Sequence, residues 1–209
     1  MYKARNGKEC YLIAIEGPDR LGKATQAKRL ESSLPVLGYK PISEEVPWQD
    51  GVTRDLIYEM LFDGRATQHP VVFQTIQAMN RRIFQAQYLP NLAAHFDAII
   101  LDRWTGSTLV YGRATGVSDE QTEAMLSGVL KPDLVFVFDG TPFPSTERQA
   151  LDEYEKDDEF QHRVRLGFQR YAQETPEAIL VDAHRDPNVI TNELIEGCRA
   201  RLPARSKGS

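Results

Sequence analysis

Four short runs of the chain are apolar almost without interruption: residues 11–15, 98–101, 134–138 and 178–181, with a weaker fifth at 39–42. Runs of this length with no polar alternation predict strands buried on both faces. The stretches between them are longer and compatible with helices. Residues 25–34 predict a helix, as does 68–95, where Pro70 is tolerable near a start and Pro90 should kink or end it. Residues 146–173 predict a further, highly charged helix. Strands alternating with helices predict an α/β fold with a mainly parallel sheet. One domain spanning residues 1–209 is the simplest account, since no repeat or linker divides the chain.

In such a sheet, ligands bind beyond the carboxyl ends of the strands. The residues that follow each run therefore carry the chemistry. After the first run comes Gly17-Pro18-Asp19-Arg20-Leu21-Gly22-Lys23-Ala24-Thr25. This strand, glycine loop and helix fit the phosphate-binding pattern G-x-x-x-x-G-K-[ST], except that Ala24 stands where a hydroxyl is usual. Glycines let successive N–H groups turn inward around a polyphosphate, and the helix start adds its partial positive charge. Gly17, Asp19, Arg20, Leu21, Gly22, Lys23, Ala24 and Thr25 are thus the candidate loop for a nucleoside triphosphate, with Lys23 reaching the terminal phosphates. After the later runs come Asp102-Arg103-Trp104, Asp139-Gly140-Thr141 and Asp182-Ala183, so charged residues gather at one rim.

The 209 residues carry a net charge of −5, which argues against a nucleic-acid surface. No apolar stretch approaches a membrane span, and the N-terminus lacks the apolar core of a secretory signal. Two distant cysteines, Cys10 and Cys198, fit a reducing, cytoplasmic setting better than a disulfide framework. The tail from Arg201 onward reads as frayed.

The ordered landmarks resemble those of thymidylate kinases. Glu16 to Lys23 is similar to that family's E-G-x-D-x-x-G-K, and Asp102 to Tyr111 to its D-R-[YFW]-x-x-S-x-x-x-Y block. Lys131-Pro132-Asp133-Leu134 and Val181-Asp182-Ala183 match its K-P-D-L and V-D-A, and Phe160, Val164, Arg165 and Phe168 resemble the segment after its lid. The resemblance implies a P-loop NTPase three-layer α/β fold with about five parallel strands and a lid at about 141–158. It implies transfer of the γ-phosphoryl of ATP to dTMP with Mg²⁺, in a homodimer. Arg20, Lys23 and Arg103 would be catalytic, neutralising charge on the transferring group. Asp102 would hold the metal through water or position the acceptor arginine. Asp19 would take the 3′-hydroxyl of the acceptor sugar, and Arg103 would grip its phosphate. Arg81, favoured over Arg82 by spacing, would reach the phosphate or base, and Ser107, Thr108 and Tyr111 would face the nucleoside. Arg148 is the first candidate for a lid arginine over ATP, with Arg163 and Arg165 as alternatives, and Asp182 lies near the adenine.

Three departures from the family pattern concern the metal and the acceptor. Ala24 removes a metal-binding hydroxyl. Gln77 occupies the place of a stacking phenylalanine, with Phe73 a further turn upstream. The loop Glu45-Val46-Pro47-Trp48-Gln49 lacks an arginine after Pro47; Arg54 is a substitute and Trp48 could supply an aromatic face. Three alternatives therefore stay open. The acceptor could be dUMP or a 5-substituted dUMP. The protein could be a deoxynucleoside kinase using Glu44 or Glu45 as base, or a nucleotide-binding regulator without turnover.

Overall fold

The computed structural model describes residues 1–4, 7–144 and 152–205. Five parallel strands form the sheet in the order β3-β4-β2-β5-β6. They are β2 (Glu9–Glu16), β3 (Pro41–Glu45), β4 (Ala98–Asp102), β5 (Leu134–Asp139) and β6 (Ala178–Asp182). All five expected strands are present, most of them extended by the acidic residue that closes them. A short strand, β1 (Tyr2–Lys3), pairs antiparallel with the start of β2 and has no counterpart in the apolar pattern.

Alternate residues of the central strands feed two separate cores, one on each face. Leu12, Ala14, Ile99, Leu101, Val135 and Val137 face one side. That core is closed by α4 (Pro70–Ile83), α5 (Leu89–His95), α6 (Thr105–Ala114) and α9 (Asp158–Glu174). Ile13, Ile15, Ile100, Phe136 and Phe138 face the other, covered by α1 (Lys23–Ser33) and α10 (Pro187–Arg201). Continuous apolar runs are what burial on both faces demands. Smaller helices complete the chain: α2 (Arg54–Phe62), α3 (Arg65–Gln68), α7 (Asp119–Leu126) and α8 (Glu153–Lys156).

The long 68–95 segment does not break at Pro90. Residues Phe84–Tyr88 form a widened π-type turn between α4 and α5, and Pro90 falls in the first turn of α5, where a missing N–H costs nothing. The 146–173 segment divides instead at Asp157, whose carboxylate accepts the Phe160 N–H at 2.9 Å and caps α9. The tail is not frayed as far as Arg205. The Arg205 guanidinium lies over the rings of Tyr39 (5.0 Å) and Tyr11 (5.7 Å) and bonds Asp97 at 3.2 Å. Tyr39 donates its hydroxyl proton to Pro203 O at 2.7 Å.

Candidate active site

Beyond Glu16 the chain turns sharply enough that only glycine fits. A Cβ on Gly17 would stand 2.5 Å from the carbonyl oxygen of Phe138, and its φ of 138° disfavours any side chain. Arg20 (φ 56°) and Gly22 (φ 75°) are also left-handed. Helix α1 then starts at Lys23 with no side chain capping it, so the orphan N–H groups of its first turn are left for a ligand. The buried Lys23 ammonium donates to Pro18 O within the loop. Burial, then the nearby Arg103 charge, pull its pKa down to about 8, against the attraction of Asp19 and Asp102.

Asp19 draws three elements together. It pairs with the Arg103 guanidinium, accepts the Tyr111 hydroxyl at 2.5 Å and lies 3.4 Å from Gln161 Nε2 on α9. Burial opposes its charge, but Arg103 and Lys23 outweigh it and hold the carboxyl below its ordinary range. Arg103 stands just past β4 at φ 69° and also donates to Gly17 O (3.1 Å) and Ser107 Oγ (3.3 Å). Non-glycine residues at positive φ are uncommon and mark sites where the surroundings enforce the geometry. Beneath them Glu16 is wholly buried, accepting from Trp104 N (2.9 Å) and Ser107 Oγ (2.5 Å). Burial raises its pKa, and the bond from Ser107 and the charges of Arg81 and Arg103 offset part of that rise.

These groups open on a cleft of about 390 Å³ at the carboxyl ends of β2, β3 and β4. Of the expected site residues, Asp19 to Thr25, Pro47, Phe73, Gln77, Arg81, Asp102, Arg103, Ser107, Thr108 and Tyr111 line it. Gly17 shapes the loop behind it. Arg81 enters the cleft fully buried, its guanidinium donating to Trp104 O (2.9 Å), Gln77 O (2.8 Å) and Gln77 Oε1 (3.0 Å). Arg82 points away, to the carbonyls of Met125 and Ser127.

Other expected residues lie elsewhere. Trp48 does not line the cleft; it stacks on Tyr88 at 5.2 Å and meets Phe84 edge-on, because α4 and the wide turn after it present an aromatic wall there. Asp182 is exposed and accepts the His184 N–H at 2.9 Å, away from the cleft. Arg165 is bound to Asp139 at 2.6 Å, Arg163 to Glu159 at 3.1 Å, and Arg54 is exposed beside Tyr58 and Asp55. Arg148 lies outside the described residues. Glu45 lines the cleft, whereas Glu44 faces the Tyr88 hydroxyl.

Asp102 Oδ1 is buried and has no hydrogen-bond partner among the described residues. An orphaned carboxylate oxygen beside a phosphate loop suits the water shell of a small hard cation. Glu45, its register partner on β3, has its pKa raised by burial and by the Asp102 charge. A divalent ion would relieve both.

The family model for thymidylate kinase matches residues 15–194. The chain belongs to the thymidylate kinase family. It is 27% identical over 205 residues to the thymidylate kinase of Exiguobacterium sibiricum, covering 93% of this chain and 97% of that one. It is 32% identical over 186 residues to that of Caldanaerobacter subterraneus subsp. tengcongensis, covering 83% and 88%. The fold is similar to the solved thymidylate kinase of Candida albicans, with a TM-score of 0.74, 25% identity and 92% of each chain covered. The protein is accordingly a phosphotransferase of the dTMP kinase class, acting on nucleotides with ATP.

Several cleft residues escape motif reading. Gln74, Tyr58, Tyr154 and Glu155 all line the cleft, and Gln161 bonds Asp19 from behind. Gln74 had a signal: it precedes Gln77 by three residues and so shares its helix face. Tyr154 and Glu155 had none, because their place depends on α8 packing across the cleft from α4.

Proposed function

We propose that the γ-phosphoryl of ATP passes to dTMP within this one cleft, between the phosphate loop and Arg103. The observation that carries the reading is the convergence of an uncapped helix start, a buried lysine and a left-handed arginine held by the loop's own aspartate. Phosphoryl transfer asks for position and charge neutralisation more than for covalent chemistry. Loop N–H groups and Lys23 bind the ATP phosphates. Arg20, inside the loop, meets charge developing on the transferring group. Arg103, oriented by Asp19 and Ser107, receives the acceptor phosphate through its planar fork. That phosphate is already ionised near neutral pH, so no strong base is required.

Mg²⁺ supplies further neutralisation when bound, and Asp102 is the residue to hold it, with Glu45 adjacent. Ala24 contributes no oxygen, so phosphates and water complete the shell. A lid at about 141–158 closes a single nucleoside monophosphate kinase domain in this reading; its residues 145–151 lie outside the described ones, and Asp152, Tyr154 and Glu155 in the cleft wall support it. A homodimer is supported by exposed Leu56 and Phe62 on α2 and by Val72 and Met79 on α4. Free, buried Cys10 and Cys198 fit a cytoplasmic setting. Among the described residues no helix is long and apolar enough to cross a membrane.

The test is a coupled ADP-release assay with ATP and Mg²⁺ against dTMP, dUMP, 5-hydroxymethyl-dUMP, dCMP, dGMP, AMP and thymidine. The expected result is that dTMP leads. A leading thymidine would shift the reading to nucleoside phosphorylation with Glu45 as base, and silence across the panel would overturn turnover altogether.

A further inference from the structure

Four cleft-lining residues carry a buried polar atom without a hydrogen-bond partner among the described residues: Arg20 Nε and Asp102 Oδ1 at the phosphate end, and Nε2 of Gln74 and Oγ1 of Thr108 on the helical wall. The latter two residues are about 1% exposed. They stand on facing helices, Gln74 on α4 and Thr108 on α6. The Gln74 stem lies against Gly112, one turn beyond Thr108: a Cβ on that glycine would be 3.8 Å from Gln74 Cγ. A third polar residue on the same wall, Gln77, is already engaged, its Oε1 accepting from Arg81. Buried polar groups are nearly always satisfied, and an exception calls for an explanation. The two exceptions on the helical wall border the same cleft, which points to a ligand that completes them.

We propose that Gln74, with Thr108 opposite, reads the hydrogen-bonding edge of the acceptor base and is the specificity-determining residue of this pocket. The inference rests on the assignment of a pyrimidine monophosphate to this cleft. A carboxamide N–H donates to a ring carbonyl, and a threonine hydroxyl accepts from a ring N–H. That pair matches the carbonyl and N3–H of a 4-oxo pyrimidine. Cytosine presents an amino group and an unprotonated N3 at the same edge; the Thr108 hydroxyl can turn to donate to N3, but the Gln74 N–H then meets a donor and the amide must turn its oxygen to the base. A site built to bond a substrate group discriminates through the polar atoms that the wrong base leaves unpaired. With glutamine at position 77, edge recognition by Gln74 takes over selectivity for which an aromatic ring would otherwise supply only stacking.

The experiment compares kcat/KM for dTMP, dUMP and dCMP in the wild type and in Gln74→Leu, Gln74→Glu and Thr108→Val, with KM for ATP and thermal melting as controls. Wild type should favour dTMP and dUMP over dCMP. Gln74→Leu should lose about tenfold in kcat/KM for dTMP, mainly through KM, and the dTMP-to-dCMP ratio should fall by a similar factor. Gln74→Glu, which offers an acceptor to the cytosine amino group, should move the ratio further toward dCMP. Thr108→Val should lower the ratio in a protein of unchanged shape. KM for ATP should not move. A wild type that uses dTMP, with the ratio unchanged in all three variants, would overturn the role of Gln74 and leave the dTMP assignment intact. A wild type that prefers dCMP would overturn both.

Discussion

Lys23 carries a cost that the empty protein bears for its ligand. Its pKa of about 8 lies below the 10.5 of an unburied lysine, so between these values the unfolded chain holds more protons than the folded one. Stability therefore rises with pH across that window, and below pH 8 the full cost of burying the charge is present. Lys23→Met should stabilise the nucleotide-free protein at pH 7 by on the order of 2 kcal/mol, raising its melting temperature, while cutting kcat at least 100-fold. Calorimetry and steady-state kinetics on the same samples check the pair. In the wild type, ATP affinity of the empty enzyme should weaken as pH rises from 7 to 9, because the ammonium loses its proton there. An affinity that stays flat over this range would mean the lysine is held charged by its neighbours.

At the scale of elements, α8 is the piece under tension. Asp152 caps it, accepting the Glu155 N–H at 2.9 Å, yet burial and then the charges of Asp19 and Glu155 push its pKa up to about 6. The folded state thus binds the extra proton between pH 4 and 6, and stability falls as pH rises through that interval. Asn is an equally good cap without the charge. Asp152→Asn should stabilise the protein at pH 7.5 by up to about 1 kcal/mol and do nothing at pH 4, measured by thermal melts at both values. Sequence pattern could not foresee this, because α8 is four residues long and takes its meaning from what it packs against. The strands were legible for the opposite reason: burial on both faces writes itself into consecutive residues such as Ile13, Ala14 and Ile15. The loop was legible because Gly17 and Gly22 obey local steric demands. The pocket was less so. Trp48 reads as a cleft aromatic until the wide turn at Phe84–Tyr88 is seen to absorb it, and Gln74 reads as an ordinary helix polar residue until Gly112 is seen beside it.

Across the whole molecule, chemistry and anchoring occupy opposite ends of the sheet. The cleft lies beyond the carboxyl ends of the strands. The Arg205 strap lies at their amino ends, gripping Asp97 before β4 and the carbonyl of Glu9 at the start of β2 (3.1 Å). Cation–π contacts and an ion pair whose side chains are only 25% and 10% exposed hold the strap in place. Arg205→Ala should cost about 1–2 kcal/mol and lower the melting temperature by roughly 3–6 °C, with kcat and both KM values unchanged. A loss of turnover in that variant would show that the two ends are mechanically coupled.

The same strap has a topological consequence. Lys3 pairs with Glu9 in the β1–β2 ladder, and Glu9 is the residue whose carbonyl Arg205 holds. Beginning and end of the described chain therefore meet at one strand, on the side away from the nucleotides. Joining them through a short flexible linker and reopening the backbone in the exposed turn at Gly116, between α6 and α7, should yield a circularly permuted kinase that still turns over. A fluorescent reporter inserted at that junction would leave the cleft untouched.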